Sequence, residues 1–288
     1  MTWVDTRFAQ WKPGRSLANV RRRVADDLEA YDHEPIEAIA TRYWSARDRE
    51  AAAPQPSTQD VMAVYETTDR YVYESSYFET LAEYQRYFET IRRACVQWGL
   101  GPVLDFGGGA GGLTFALASA GISCDYADVP GPTSDYARWR FQRYALRAQV
   151  LDATQPLPSG RYHAIVTLDV FEHLPDLRQV VGQLVEALMP GGWLISKSTF
   201  AADDPLHLPQ NLVYADIRLF NQFLAGMGLV YGGRLRPDPL SESWFKWCGW
   251  PGVWRVWRDR QPKFGGRFVM HQAVTARRPP RSGGSARI

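Results

Sequence analysis

Within VLDFGGGAGG, residues 103–112, five glycines fill the last six positions. Such a density removes side chains from a turn and lets backbone N–H groups approach a ligand closely. Two spacings overlap there: Gly107, Gly109 and Gly112 read as GxGxxG, while Asp105, Gly107, Gly109 and Gly111 read as DxGxGxG. Carboxylates recur where later apolar runs end. Asp128 closes ISCDYAD, Asp152 stands before Ala153 in VLDA, and Asp169 follows Leu168 in HAIVTLD. Oxygen acceptors at such points suit ribose hydroxyls, an adenine amino group or a cationic centre. For moving a proton, the candidates are His173 in FEHLP and His207 in DDPLHLPQN, with Asp169 close by in sequence.

These groups need elements to carry them. From Gly101 onward, short apolar runs alternate with helical segments: strands are expected at 103–106, 122–129, 148–153, 163–169 and 193–200. Helices are expected between them, one capped by Ser134 and one opening at Asp176 behind Pro175. That order implies right-handed crossovers and a doubly wound, mostly parallel α/β sheet. A helix over about 216–227 and a strand at GLVYGGRL follow. Upstream, residues 16–31 and 35–49 read as helices. Tyr77, Leu81, Tyr84, Phe88, Ile91, Cys95 and Trp98 fall in a 4-3 rhythm that marks one buried helix stripe. Tyr71 and Tyr73 precede that stripe and are the candidates for lining a pocket.

The glycine spacing alone leaves two cofactors open, a dinucleotide or S-adenosylmethionine (SAM). Asp105, inside the end of the first strand, is poor company for a pyrophosphate and suits a ligand bearing ammonium and sulfonium charges. Asp152, with the amide of Ala153, could read adenine. VLDFGGGAGG, the acidic end of ISCDYAD, VLDA, LDVFEHLPD and LMPGGWLIS also stand in order at family spacing, so residues 101–200 resemble the class I SAM-dependent methyltransferases, especially the quinone-biosynthesis and natural-product branch. The resemblance implies a seven-stranded Rossmann-like sheet ending in an antiparallel hairpin, here GLVYGGRL with GRFVMHQAV. It further implies Gly107, Gly109 and Gly111 beneath the methionine portion, Asp105 supporting the loop and amino group, Asp128 on the ribose, Asp152 and Ala153 on adenine, and Leu168 and Asp169 near the sulfonium.

The expected organisation is an N-terminal helical cap with the first core helix (1–99), a SAM-binding core (100–240), a Trp-rich insertion (241–264), a last core strand (265–276) and a disordered tail (277–288). In the insertion, SESWFKWCGWPGVWRVWRD carries Trp244, Trp247, Trp250, Trp254 and Trp257; Pro251 and Gly252 prevent one continuous helix. From Arg234 to Arg267, eight Lys/Arg stand against three Asp/Glu. Three readings stay open for this insertion: a substrate lid using Trp244 and Trp247, peripheral membrane contact, and packing or a homodimer interface.

At 288 residues the chain can bury one sizeable core with an accessory segment. A net charge of +2 with no concentrated basic stripe argues against nucleic acid, as does LDVFEH where an amino-methyltransferase would carry an Asn-Pro-Pro-Tyr type sequence. Three scattered cysteines fit a reducing cytoplasm and form neither a disulfide framework nor a zinc pattern. No metal is expected, because no ligand spacing demands one, and no stretch is long and apolar enough to span a membrane. The resulting expectation is a methyltransferase acting on a small apolar or aromatic molecule. Its alternatives are a SAM-binding protein without methyl transfer and an NAD(P)-dependent oxidoreductase.

Overall fold

The computed structural model describes residues 15–51, 61–201, 206–235 and 252–256. Five helices come first: α1 (Arg15–Asp32), α2 (Ile36–Ala51), α3 (Val61–Thr67), α4 (Arg70–Glu79) and α5 (Ala82–Trp98). The alternating region follows as β1 (Val103–Phe106), α6 (Gly112–Ser119), β2 (Cys124–Asp128), α7 (Pro132–Arg143), β3 (Val150–Asp152), β4 (Tyr162–Leu168), α8 (Leu177–Ala187) and β5 (Leu188–Lys197). Short 3-10 turns at Phe171–His173, before α8, and Pro209–Ala215, after β5, add to these, and α9 (Ile217–Gly226), β6 (Leu229–Arg234) and β7 (Gly252–Val256) complete the described elements.

The seven strands lie in the order β3-β2-β1-β4-β5-β7-β6. The first five are parallel, and β7 runs antiparallel between β5 and β6. This is the doubly wound, Rossmann-like α/β sheet with an N-terminal helical cap. Strand alternation assigns the two faces. Leu104, Ile165, Leu194 and Trp254 pack with α8 and α9 on one side, while Val103, Val166, Ile195 and Val253 pack with Tyr87, Ile91, Leu113 and Leu117 on the other. The cap has its own cluster, in which Val24, Leu28, Ile39 and Val72 meet Ala110 and Tyr136 of the core.

Several local expectations need correction. The apolar stripe from Tyr77 to Trp98 spans two helices, because Leu81 is extended (φ −80°, ψ 140°) and caps α5, while Thr80 closes α4. Neither glycine nor proline marks that break, and the rhythm runs through it because both helices bury the same kind of face. Ser134 is the third residue of α7 rather than its cap; its hydroxyl reaches back to accept from the amide of Gly131 at 3.1 Å. Asp176 does cap α8, accepting from the Gln179 amide at 2.8 Å.

The expected Trp-rich insertion contains a sheet strand. GVWRV pairs with both β5 and β6, and Trp254 is buried against the core while its indole N–H donates to Asn221 Oδ1 at 2.9 Å. The antiparallel hairpin partner of β6 is therefore 252–256. The strand expected at 265–276, the 277–288 tail, Trp244 and Trp247 lie outside the described residues. No helix among the described residues is long and apolar enough to cross a membrane.

Candidate active site

β1 is flanked by β2 on one side and β4 on the other, so the strand order reverses there and a crevice opens at the carboxyl ends, where open α/β sheets take their ligands. A cavity of about 600 Å³ occupies that position. Gly107, Gly108 and Gly109 form its floor, Asp105, Asp128, Ala153 and Leu168 stand at the strand ends, and α3 and α4 roof it with Met62, Tyr65, Tyr71 and Phe78.

The glycine turn is tight. Gly107, Gly109 and Gly111 have φ of +69°, +54° and +77°, a region that costs a side-chain-bearing residue free energy. A Cβ at Gly107 would stand 2.5 Å from Val170 Cγ2, and one at Gly108 would stand 2.9 Å from Asp105 Oδ2. Asp105 braces the turn from behind: its Oδ2 accepts from both the amide (3.0 Å) and the hydroxyl (2.9 Å) of Thr114 in α6. It is 3% exposed, and burial pushes its carboxyl up to about 7 against the two Thr114 donors. Asp128 braces the turn from the side, accepting from the Gly109 amide at 2.7 Å and the Val129 amide at 2.8 Å. Burial raises its carboxyl too. Buried carboxylates with raised pKa values favour a cationic ligand, which restores the charge balance that burial disturbs.

Both residues expected at adenine already carry hydrogen bonds. The Ala153 amide donates to the Asp128 carbonyl at 2.9 Å, continuing the β2–β3 pairing, so it is not available to a base. Asp152 Oδ1 accepts from the amide (2.8 Å) and hydroxyl (2.6 Å) of Thr154. Ala153 and Thr154 themselves line the cavity. Tyr71 lines it as expected, but Tyr73 does not: it is buried in the cap, where its hydroxyl donates to Asp32 Oδ2 at 2.9 Å and accepts from Arg42 at 3.0 Å. The helical period turns the two tyrosines of α4 to different sides.

At the opposite wall the structure joins residues that are far apart in sequence. Asp169, in a left-handed conformation (φ +53°), accepts from Lys197 Nζ at 2.5 Å, Tyr84 Oη at 2.7 Å and Thr199 Oγ1 at 3.1 Å. Burial opposes ionisation of this carboxyl, but Lys197 holds it below the usual carboxylate range. Burial likewise would lower the Lys197 ammonium, and Asp169 keeps it raised. Lys197, Tyr84 and Thr199 escaped the sequence reading; the available signal was a lysine closing the apolar run WLIS.

His173 and His207 stack edge to face with ring centroids 4.8 Å apart. His173 Nδ1 donates to the Leu206 carbonyl at 3.1 Å and His207 Nδ1 to the Ala201 carbonyl at 2.6 Å, which makes Nε2 the basic nitrogen of each neutral ring. Behind them Glu172 is fully buried, its Oε1 accepting from the Thr199 amide at 2.6 Å. Burial, then the charge of Asp169, pushes its carboxyl up to about 8. Ligand atoms of Glu172, His173 and His207 lie within 4.8 Å of one another, a donor set that could hold a divalent cation. Asp203 and Asp204, expected beside His207, lie outside the described residues.

Residues 104–194 match a family model described as a methyltransferase domain. A curated relative, a ubiquinone biosynthesis O-methyltransferase of Bordetella avium, is 29% identical over 96 residues; the match covers 32% of this chain and 40% of the relative. Solved structures that align with the chain include a phosphoethanolamine N-methyltransferase of Haemonchus contortus in complex with SAM, at 18% identity and TM-score 0.37, covering 48% of this chain and 36% of that one. Another is a SAM-dependent methyltransferase of Clostridium acetobutylicum, at 21% identity and TM-score 0.36, covering 40% of this chain and 50% of that one. The chain thus spans less than half the length of the curated relative. The matched segment runs from β1 through most of β5, while the cap and the histidine at 207 lie outside it.

The residues present fit SAM. Two buried carboxylates face the glycine turn, and the cavity continues past Leu168 to a wall bearing Asp169, His173 and His207. Gly107, Gly109, Asp105, Asp128 and Leu168 would hold the cofactor, which supplies a methyl group on positively charged sulfur.

Proposed function

We propose that the protein methylates a small apolar or aromatic acceptor held between the glycine turn and the aromatic roof. The observation that carries this reading is one continuous cavity in which the cofactor turn of a methyltransferase domain, the tyrosines of α3 and α4, and the His173–His207 pair share a wall. Met62, Tyr65, Tyr71 and Phe78 would exclude water and stack the acceptor. His207 takes the acceptor's proton at Nε2 where the accepting atom carries one, with its Nδ1–H fixed on the Ala201 carbonyl. His173 keeps that ring in place, and Asp169, neutralised by Lys197, orients the cavity wall through Tyr84.

Displacement at the methyl carbon is an alignment problem, so most of the rate comes from presenting the acceptor in line and dry. The curated relative acts on oxygen by its name, and a phenolic oxygen, which must lose its proton on methylation, is an acceptor class that gives His207 Nε2 the role of base. The test is incubation of the full chain with methyl-labelled SAM and a mixture of phenols, amines, carboxylates and activated carbon acids, read by mass spectrometry. Labelled phenolic ether supports the proposal. Binding of SAM with no labelled product in any class returns the reading to a SAM-binding partner protein, and binding of NADH alone to an oxidoreductase.

A further inference from the structure

The glycine turn is held by the cap as well as by the sheet. Arg140, on α7, is fully buried. Its fork takes both oxygens of Glu79, at the end of α4, through Nη1 (2.6 Å) and Nη2 (3.0 Å); its Nε donates to Asp27 Oδ2 of α1 at 3.0 Å. Nη1 also donates to the carbonyl of Ala110 at 3.2 Å, within the turn itself. One guanidinium therefore joins α1, α4, α7 and the cofactor turn.

Contacts between the turn and α4 run in the same direction. A Cβ at Gly109 would stand 2.6 Å from Ser75 Oγ, and one at Gly112 would stand 3.0 Å from Glu79 Oε2. The side chain of Ala110 is buried in the cap's apolar cluster. Burial would raise the Glu79 carboxyl, yet Arg140 and the neighbouring Arg23 hold it below its ordinary value, so the cluster stays ionised and paired. A planar fork with five donors can serve three acceptors at fixed angles; a lysine ammonium on a flexible stem cannot hold the same set.

We propose that Arg140 is a positioning residue for the cofactor: by tying the Ala110 carbonyl to Glu79 and Asp27 of the docked cap, it gives the glycine turn its binding shape. This rests on the reading that the turn takes SAM. Arg140 touches no part of the cofactor's place in the cavity, and its effect passes through the turn. Because α4 also supplies Tyr71 and Phe78 to the acceptor side, the cap that would receive the acceptor is mechanically continuous with the turn that receives the cofactor.

The experiment uses the full chain and two readouts, SAM affinity by titration calorimetry and amide hydrogen exchange of the ligand-free protein, in wild type, Arg140→Lys, Glu79→Gln and the core control Ile165→Val. Arg140→Lys is expected to weaken SAM at least tenfold and to speed exchange in 107–112 at least tenfold, with 177–187 on the far side of the sheet unchanged. Ile165→Val should leave SAM affinity within twofold. Affinity of Arg140→Lys within twofold of wild type overturns the proposal, as does exchange that rises equally in both segments. Should Arg140→Lys fail to fold, Glu79→Gln decides, with threefold or greater effects expected on both readouts and no effect overturning the idea. A wild type that does not bind SAM refutes the functional reading and with it Arg140's cofactor role, whereas loss of affinity confined to the variants refutes neither; exchange in the turn then reports separately on Arg140's hold over it.

Discussion

Asp105→Asn is expected to stabilise the ligand-free protein and weaken its hold on the cofactor, and the sizes follow from the carboxyl's surroundings. Burial raises the native carboxyl from 3.8 to about 7. An acid raised on folding binds more protons in the native state than in the unfolded chain between those values. Its contribution to stability is therefore fully present below pH 3.8 and is lost as pH climbs towards 7. Above pH 7 the loss amounts to about 4 kcal/mol relative to a neutral isostere, at 1.36 kcal/mol per unit. At pH 5 the same arithmetic leaves about 1.7 kcal/mol. Both Thr114 donors fall on Oδ2 alone, so the single amide oxygen of an asparagine can accept both. The variant would then gain roughly 4 kcal/mol at pH 8 and less than half of that at pH 5, with the midpoint of thermal unfolding rising by about 10 °C at the higher pH.

The measurement is urea unfolding of wild type and variant at pH 5 and pH 8, with SAM titration alongside. A roughly tenfold or greater loss of SAM affinity is expected, because a charged acceptor is worth about 1–3 kcal/mol more than a neutral one to a cation. A variant that is less stable than wild type at pH 8, or a gain of equal size at both pH values, would refute the assignment of Asp105 as a carboxyl held at a cost for a cationic ligand.

Gly107→Ala should abolish detectable SAM binding and destabilise the chain by about 2 kcal/mol, since φ is +69° and Val170 Cγ2 lies where the methyl group must go; calorimetry and thermal melting check this. His207→Ala should lower kcat by about 10²–10³ for an acceptor that loses a proton, with SAM affinity unchanged, in the labelled-methyl assay. Chelation with EDTA should leave the wild-type rate within twofold; a rate abolished by EDTA and restored by a divalent cation would recast Glu172, His173 and His207 as ligands. Trp254→Phe should cost about 1–3 kcal/mol in urea unfolding, by leaving space in the core and removing the donor to Asn221 Oδ1.

What could be read from the chain follows the range of the forces involved. β1, the glycine turn and the capped start of α8 are local: apolar residues, glycines and Asp176 lie within a few positions of what they determine. Asp128 was legible for the same reason, as a carboxylate where an apolar run stops. The Arg140–Glu79 pair spans 61 residues and the Tyr84–Asp169 bond 85, and nothing local to either partner announces the other. Tyr73 differs from Tyr71 by two positions, about 200° around a helix, which only the placement of α4 against the cap turns into core versus cavity. In 252–256 the tryptophans drew attention to exposure and partners, yet VWRV is a two-faced strand whose Val253 and Trp254 fill opposite cores.

The glycines themselves turn out to be weak evidence for either cofactor. Val170, Ser75 and Phe141 stand under 3.0 Å from where a Cβ would lie at Gly107, Gly109 and Gly111, and Glu79 stands 3.0 Å from one at Gly112, so protein packing by itself favours the pattern that overlaps two fingerprints. The carboxyl of Asp105 is what discriminates. A pyrophosphate over this turn would bring two negative charges towards Asp105, which is buried and whose carboxyl burial already raises to about 7. Such an anion would drive that carboxyl to its protonated form, in which it makes no charge interaction, and Arg140, paired with Glu79 and Asp27, supplies no free cation to the turn. An ammonium in the same place favours the ionised carboxylate and gains its attraction. Any discrimination between the two cofactors by charge therefore rests on Asp105, since a carboxylate at the end of the second strand, where Asp128 stands, suits the ribose of either, and mutation of the glycines would not reveal it.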